Sequence, residues 1–189
     1  MFKNLNKNNY EKVNPYFVSG FSDAESTFGI SIYKKKEYKT GWHVRVEFAI
    51  GIHAKDKALL YQIQSFFGGV GQIYEYSEKC HLRVFSSKDL TNVIIPHFDK
   101  YPLITKKRAD FLLFKMAVVL MNKKEHLTIE GLKKIVSIKA SMNLGLTAEL
   151  IDSFPNIVPV DRPIVELHTE KIDPNWLAGF VSGEGCFHG

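Results

Sequence analysis

From Phe28 onward the chain abandons helical spacing for strict alternation. In "FGISIYK" Phe28, Ile30 and Ile32 share one side while Gly29, Ser31 and Tyr33 share the other. In "HVRVEFAIGIH" Val44, Val46, Phe48, Ile50 and Ile52 stand opposite His43, Arg45, Glu47, Ala49 and Gly51. A period of two is that of a half-buried strand, so a hairpin is predicted around the basic loop "KKKEYKTG", which contains Lys35. The segment "KDKALLYQIQSFFGG" returns to helical spacing at Leu59, Leu60, Ile63, Phe66 and Phe67 and stops at Gly68 and Gly69. A second hairpin is predicted from "GQIYEY" to "CHLRVFS", with Ile73, Leu82 and Val84 inward and Gln72, Tyr74, Tyr76, His81, Arg83 and Phe85 outward.

The remainder is helical. "SKDLTNVIIPHFDKY" runs to a turn at Pro102, and "TKKRADFLLFKMAVVLMNKK" gives an apolar face of Ala109, Leu112, Leu113, Met116 and Leu120. Two further helices, in "TIEGLKKIVSIKASMN" and "TAELIDSF", precede a linker from Pro155 to Asp173 that has three prolines and little periodicity. The chain then repeats its own opening. "PYFVSGFSDAESTF" (Pro15 to Phe28) aligns with "PNWLAGFVSGEGCF" (Pro174 to Phe187), matching proline, glycine, phenylalanine, glutamate and phenylalanine in register. Each copy begins with a side-chain acceptor, Asn14 or Asp173, followed by proline at the first helical position. Small residues recur four apart, Gly20 with Ala24 and Gly179 with Gly183, so each helix has a bare stripe on which the other backbone can lie closely.

Composition narrows the partners. With 189 residues and 45% hydrophobic content, the chain is long enough for one packed domain of roughly 150 residues plus a tail. No apolar run approaches the roughly 18 residues of a membrane span, since "FLLFKMAVVLM" is short and broken by Lys115, so no membrane partner is expected. The opening "MFKNLNKNNYEK" lacks the apolar core of a secretory signal and the Arg and Ser of a transit peptide, as expected of a protein that works where it is made. Cys80 and Cys186 are too few for a zinc or disulfide framework, and neither is assigned chemistry. The net charge of +5 leans toward a polyanionic partner.

Four strands with one apolar face make an antiparallel sheet with a second face free for a partner. On that face Gly29, Ser31, Tyr33, Lys35, His43, Arg45, Glu47, Ala49, Gln72, Tyr74, Tyr76, His81, Arg83 and Phe85 supply donors, acceptors and aromatic rings. Such groups address base edges and phosphates of double-stranded DNA, and an ordinary solvated face is the other reading. Glu25 and Glu184 occupy the same place in the two repeats, at the C-terminal end of each helix, where free carbonyls already gather negative charge. If the helices pack on their small stripes, both carboxylates arrive together and need a cation or a shared proton. With the carbonyls of Ala24 and Gly183 nearby they suit Mg2+, and beside DNA that implies metal-assisted phosphodiester hydrolysis. For either glutamate alone, simple exposure at a helix end is the ordinary explanation.

In these residues the chain resembles the LAGLIDADG homing endonucleases of the single-chain, two-motif class. "VSGFSDAES" (Val18 to Ser26) and "LAGFVSGEG" (Leu177 to Gly185) align with the motif, while "HAKDKALL", "PLITKK" and "KKEHLTIEGLKKIVSIKASMNLG" are similar to fungal mitochondrial intron-encoded members. The resemblance implies an α+β fold in which an αββαββα half with a four-stranded DNA-binding sheet is followed by a linker and the first helix of a second pseudo-repeat. Residues 1–154 would form the N-terminal half-domain, 155–173 the linker, and 174–189 the opening of a C-terminal half that this chain otherwise lacks.

It further implies Glu25 and Glu184 as catalytic metal ligands, Mg2+ as cofactor with Ca2+ a candidate for binding without cleavage, and a basic residue near the scissile phosphate, for which Lys107, or its neighbour Lys106, fits. The partners implied are duplex DNA, a C-terminal half supplied as a separate chain or fragment and, if the chain serves as a maturase, intron RNA; the location implied is the mitochondrion. A catalytically silent DNA-binding module is the remaining alternative. Two positions depart from the motif. Ser26 replaces its final glycine, removing the residue best suited to a positive φ after the helix, and Ser182 replaces the earlier, non-ligand acid.

Overall fold

Helix α1 (Pro15–Glu25) starts where Asn14 Oδ1 accepts the Tyr16 N–H at 2.8 Å and Pro15 takes the first turn. In the computed structural model, which describes residues 12–167 and 169–185, the helix passes directly into strand β1 (Ser26–Lys34). The N-terminal stretch, Cys186 and Phe187 lie outside the described residues. The chain needs no left-handed residue at this junction: Ser26 is extended (φ −90°, ψ 162°), and its hydroxyl donates to the Ser22 carbonyl at 2.6 Å. The expectation that serine costs the turn a positive φ is therefore corrected; its hydroxyl adds a bond to a helix-end carbonyl that also accepts the Ser26 N–H.

Strands β1, β2 (Trp42–His53), β3 (Gln72–Glu75) and β4 (Lys79–Val84) form one antiparallel sheet in the order β1-β2-β4-β3. Phe28 pairs with Phe48, Ile30 with Val46 and Ile50 with Leu82, so the predicted apolar positions share one face. Tyr76 and Phe85 fall one residue beyond their strands, as does Lys35. Helix α2 (Lys57–Phe66) links the hairpins and ends at Gly68 and Gly69, whose φ values of 76° and 82° disfavour a side chain.

Short helix α3 (Ser87–Asp89), a π turn (Leu90–Ile94) and α4 (Ile95–Lys100) then run on without a break. The wider turn precedes Pro96, which has no N–H for a regular helical bond. At the start of α4's contact with α1, His97 lies among Phe66, Phe67, Phe98 and Tyr101. Ser19 Oγ donates to the Tyr101 carbonyl at 2.6 Å, so at 3.1 Å it receives the proton of His97 Nε2. Burial holds that imidazole neutral, with its pKa lowered to about 4.

Helix α5 (Lys107–Asn122) lies under the sheet through Phe111, Leu113, Phe114, Ala117 and Val118. Of the predicted face, Ala109 and Leu113 are buried, whereas Leu112 and Leu120 are half-buried and Met116 is exposed. Ring packing on Phe28 selects the bulkier aromatic side of the helix: the Phe28 ring lies 5.2–5.4 Å, centroid to centroid, from Phe48, Phe98, Phe111 and Phe114. Helices α6 (Ile129–Ala140) and α7 (Ala148–Ser153) are capped by Thr128 and Thr147, which accept from Gly131 N at 3.0 Å and Leu150 N at 3.3 Å. Beyond α7 the extended segment is stitched back onto α6, because the hydroxyls of Ser137 and Ser141 donate to the carbonyls of Val158 and Val160. Among the described residues no helix is long and apolar enough to cross a membrane.

Helix α8 (Pro174–Gly185) begins with Asp173 Oδ1 accepting from Asn175 N at 2.8 Å and packs along α1. The approach is backbone on backbone. A Cβ on Gly20 would lie 1.8 Å from the Trp176 carbonyl oxygen, and one on Gly179 would lie 2.1 Å from that of Phe17. Replacing Gly20 or Gly179 by alanine should therefore force the helices apart, costing about 1–3 kcal/mol. In a Trp42→Phe background, the emission of buried Trp176 is expected to move to the red; an unshifted spectrum with unchanged stability would contradict the contact.

Candidate active site and nucleic-acid interface

Close packing of α1 and α8 brings their C-terminal ends together. The Gly183 position lies against Ala24 and Glu25, since an added Cβ would stand 2.5 Å from Ala24 Cβ and 3.1 Å from Glu25 Cγ. Glu184, the next residue, is near enough that its charge acts on Glu25. Burial and, less strongly, Glu184 raise the Glu25 pKa from 4.5 to about 7, against the opposing charge of Lys107. A carboxyl group that holds its proton near neutrality, as Glu25 does beside Glu184, is short of positive charge. Among the described residues no three His, Cys, Asp or Glu side chains converge as a metal site, so a cation held by Glu25 and Glu184 would complete its shell with backbone carbonyls, water and phosphate oxygens. Two hard carboxylates with open positions fit Mg2+ or Ca2+.

Lys107 enters the same cleft from the first turn of α5. Its Nζ donates to the Ser22 carbonyl at 3.2 Å. Burial lowers its pKa, while Asp23, Glu25, Asp110 and Glu184 oppose that shift. Lys106 is exposed and does not line the cleft. The start of α5 is fixed by Asp23. One of its oxygens accepts from Ile104 N at 2.7 Å and Thr105 N at 3.4 Å, the other from Thr105 Oγ1 at 2.5 Å, and Thr105 Oγ1 accepts in turn from Lys107 N at 3.2 Å. Asp23 thus serves the N-terminal end of α5, where a carboxylate is favoured. At the matching place in α8, Ser182 Oγ only donates to its own helix at Ala178 O, 2.8 Å away.

The cleft, about 470 Å3, is lined by Ala24, Glu25, Ser26, Thr27, Ala49, Gly51, His81, Lys107 and Asn143. His81 and Ala49, expected among the readers of the sheet face, stand here at the inner edge of that face. The His81 ring occupies the space over Gly51, where a Cβ would come within 2.7 Å of it. Asn143 and Asp23 are additions that sequence reasoning missed. Only the long-range hydrogen bonds of the folded chain reveal them, although Asn143, at φ 46°, sits in "MNLG", a turn-like sequence.

The outer face of the sheet carries the remaining predicted readers side by side. Cross-strand pairs join Gly29 to Glu47, Ser31 to Arg45 and Tyr33 to His43 on one side, and Gln72 to Arg83 and Tyr74 to His81 on the other. Glu47 lies 3.7 Å from Arg45 and 3.9 Å from Arg83. Each guanidinium also covers a ring, Arg45 that of Phe85 at 4.8 Å and Arg83 that of Tyr74 at 5.8 Å. Tyr76 leans on His81 with ring centroids 5.8 Å apart, and Lys35 covers Tyr38 at 5.4 Å. Tyr74 donates to Gln72 Oε1 at 2.7 Å. The two arginines are thus held against Glu47 and aromatic rings while their side chains remain 44% and 32% exposed.

An αββαββ unit with a carboxylate-tipped helix pair at one end of its open sheet is the plan of a LAGLIDADG protein. Residues 18–118 match the family model described as LAGLIDADG endonuclease, and the chain belongs to that family. It is 45% identical over 178 residues to Probable intron-encoded endonuclease 3 of Neurospora crassa, covering 93% of this chain and 33% of that protein. Among solved structures it is similar to the I-SmaMI LAGLIDADG homing endonuclease bound to cleaved DNA, with TM-score 0.87, 49% identity, and 91% of this chain on 57% of that one. I-SmaMI bound to an uncleaved DNA target in the presence of calcium ions matches at TM-score 0.86 and 50% identity, over 91% and 58% of the two chains. The chain thus spans a third of the length of its Neurospora relative.

The raised Glu25 pKa carries a definite pH dependence. Between pH 4.5 and about 7 the folded state keeps a proton that the unfolded state has released, so stability falls as pH rises through this window. Glu25→Gln lacks this loss. Its melting temperature should match wild type near pH 4.5 and exceed it increasingly toward pH 8, and divalent cation should narrow the difference. Parallel melting curves at all pH values would rule out the raised Glu25 pKa.

Proposed function

We propose that this chain supplies the N-terminal reading and cutting half of a site-specific, divalent-metal-dependent endonuclease that hydrolyses both strands of a duplex DNA target. The observation that carries the reading is the convergence of Glu25 and Glu184 beside Lys107 at the inner edge of a sheet whose open face presents arginine, glutamine and aromatic groups. Glu25 and Glu184, with the carbonyls of Ala24 and Gly183, would hold Mg2+. When bound, the cation supplies charge for the phosphate oxygens and lowers the pKa of water. Lys107 faces the developing negative charge on the phosphate and leaving oxygen, and its depressed pKa leaves a weakly solvated donor suited to that task. Ser31, Tyr33, Arg45, Gln72, Tyr74 and Arg83 read base edges in the major groove, and Lys35, His43 and Tyr76 meet the backbone at its rim.

The complete cutting unit has a second sheet under α8. Val18 is fully buried beneath the first sheet, whereas Leu177, at the matching place in the repeat, is 51% exposed and Val181 is 59% exposed. That sheet is supplied by residues continuing from α8 or by a C-terminal half provided as a separate fragment. By the same family resemblance, the protein is made and acts in the mitochondrion.

The test begins with selection of bound duplexes from a randomised library in Ca2+, using these 189 residues, followed by transfer to Mg2+ with and without an added C-terminal half. The 189-residue chain should enrich one short block and leave it uncut, and the reconstituted unit should cut. Glu25→Gln or Glu184→Gln should lower cutting by at least about a hundredfold with binding retained. Full cutting by either variant, or selection of no DNA block, would refute the proposal.

A further inference from the structure

We propose that Arg162, in the extended strap before α8, is a positioning residue for the cleft: it bolts together the two chain segments that deliver Lys107 and Asn143. This inference rests on the reading of the cleft given above. Four hydrogen bonds leave one guanidinium. Nη1 donates to Asp110 Oδ1 at 2.6 Å and to the Ser141 carbonyl at 2.8 Å; Nη2 donates to Asp110 Oδ2 and to the Lys106 carbonyl, both at 3.2 Å. Asp110 is in the first turn of α5, and Lys106 immediately precedes Lys107. Ser141 opens the turn that contains Asn143.

The connection continues to the cleft on the other side. Asp110 Oδ1 also accepts the Asn143 N–H at 3.0 Å, and Asn143 Nδ2 donates to the Phe28 carbonyl at 2.9 Å, fixing that side chain on β1 next to Thr27. Asn143 therefore reaches the cleft in a left-handed backbone conformation, φ 46°, that the Asp110 and Arg162 contacts hold. Asp23 secures the start of α5 from the α1 side and Arg162 from the strap side. The side chain of Arg162 is 40% exposed and that of Asp110 13%, and in so partly screened a pair charge alone does not define geometry. Its planar fork, which lysine does not reproduce, instead fixes distance and angle. The strap that precedes α8 thereby also holds the chain around Lys107.

The experiment compares Arg162→Gln and Arg162→Lys with wild type in two arms. In the 189-residue chain alone, NMR follows the Asn143 side-chain amide and the Lys107 Cε resonance. Both should move in both variants while each remains folded at the temperature of measurement. In the unit reconstituted with a C-terminal half, single-turnover cutting at saturating DNA should fall roughly tenfold to a hundredfold, while affinity in Ca2+ stays within twofold. Lysine should not restore the rate. Asp110→Asn breaks the fork from the opposite side and should move the same two resonances, which preserves the test if an Arg162 variant unfolds. Unmoved resonances, a rate loss that disappears at saturating DNA, or full rescue by lysine would each overturn the inference. Failure of the wild-type reconstituted unit to cut would count against the endonuclease reading, while the NMR arm still decides whether Arg162 positions the cleft.

Discussion

The structure depends on two helices approaching so closely that backbone touches backbone. Gly20 and Gly179 face each other's helices across spaces in which no Cβ fits. That proximity forces two like-charged residues together at the far end, since Glu25 and Glu184 follow the same stripe. Dispersion and apolar burial along the helices, including Trp176, offset the electrostatic cost at their tips. A looser interface would relieve the carboxylates and, with that, the demand for a cation on which the proposed function rests. Here stability and function pull in opposite directions within one helix pair.

Much of this was legible in the sequence because its signals are local. Alternation in Phe28–Ile32 and Val44–Ile52 gave the strands and their inner face, and Pro15 and Pro174 with their preceding acceptors gave both helix starts. The repeat alone pairs Glu25 with Glu184. Less legible was whatever depends on side chains distant in sequence. The buried face of α5 turns toward Phe111 and Phe114 because Phe28 demands ring partners, and a helical pattern containing Leu112 and Met116 held no hint of that. Asp23 and Asn143 act through bonds to residues more than seventy positions away. Ser26 misled for a different reason: the motif's glycine implied a special backbone, whereas the chain continues extended and uses the hydroxyl.

Electrostatics divide the molecule into zones with different rules. On the sheet face, Arg45 and Arg83 share Glu47 and stack on rings in contact with solvent, where such pairs order side chains more than they stabilise the fold. In the cleft, Lys107 and Glu25 have left much of their water behind, and each depends on its neighbours for its charge state. Burial at His97 is deeper still, and there the ring remains uncharged and acts as a packing group with one directed proton. The gradient runs from exposed reading groups to buried scaffold, with the carboxylates at its midpoint.

Helix α1 becomes strand β1 with no residue between them: Glu25 ends one and Ser26 begins the other. On the proposed reading, the carboxylate that would act at the cut and the first reading strand are therefore a single stiff piece, and the strand would work as a ruler graduated from Glu25. An extended residue advances about 3.3 Å and a DNA base pair about 3.4 Å, so side chains that alternate along a β1 laid in the groove would meet roughly every second base pair. Distance from the cut would then be encoded in residue number, and new targets would be reached by exchanging the marks on the ruler, since sliding it would carry Glu25 away from the bond it acts on.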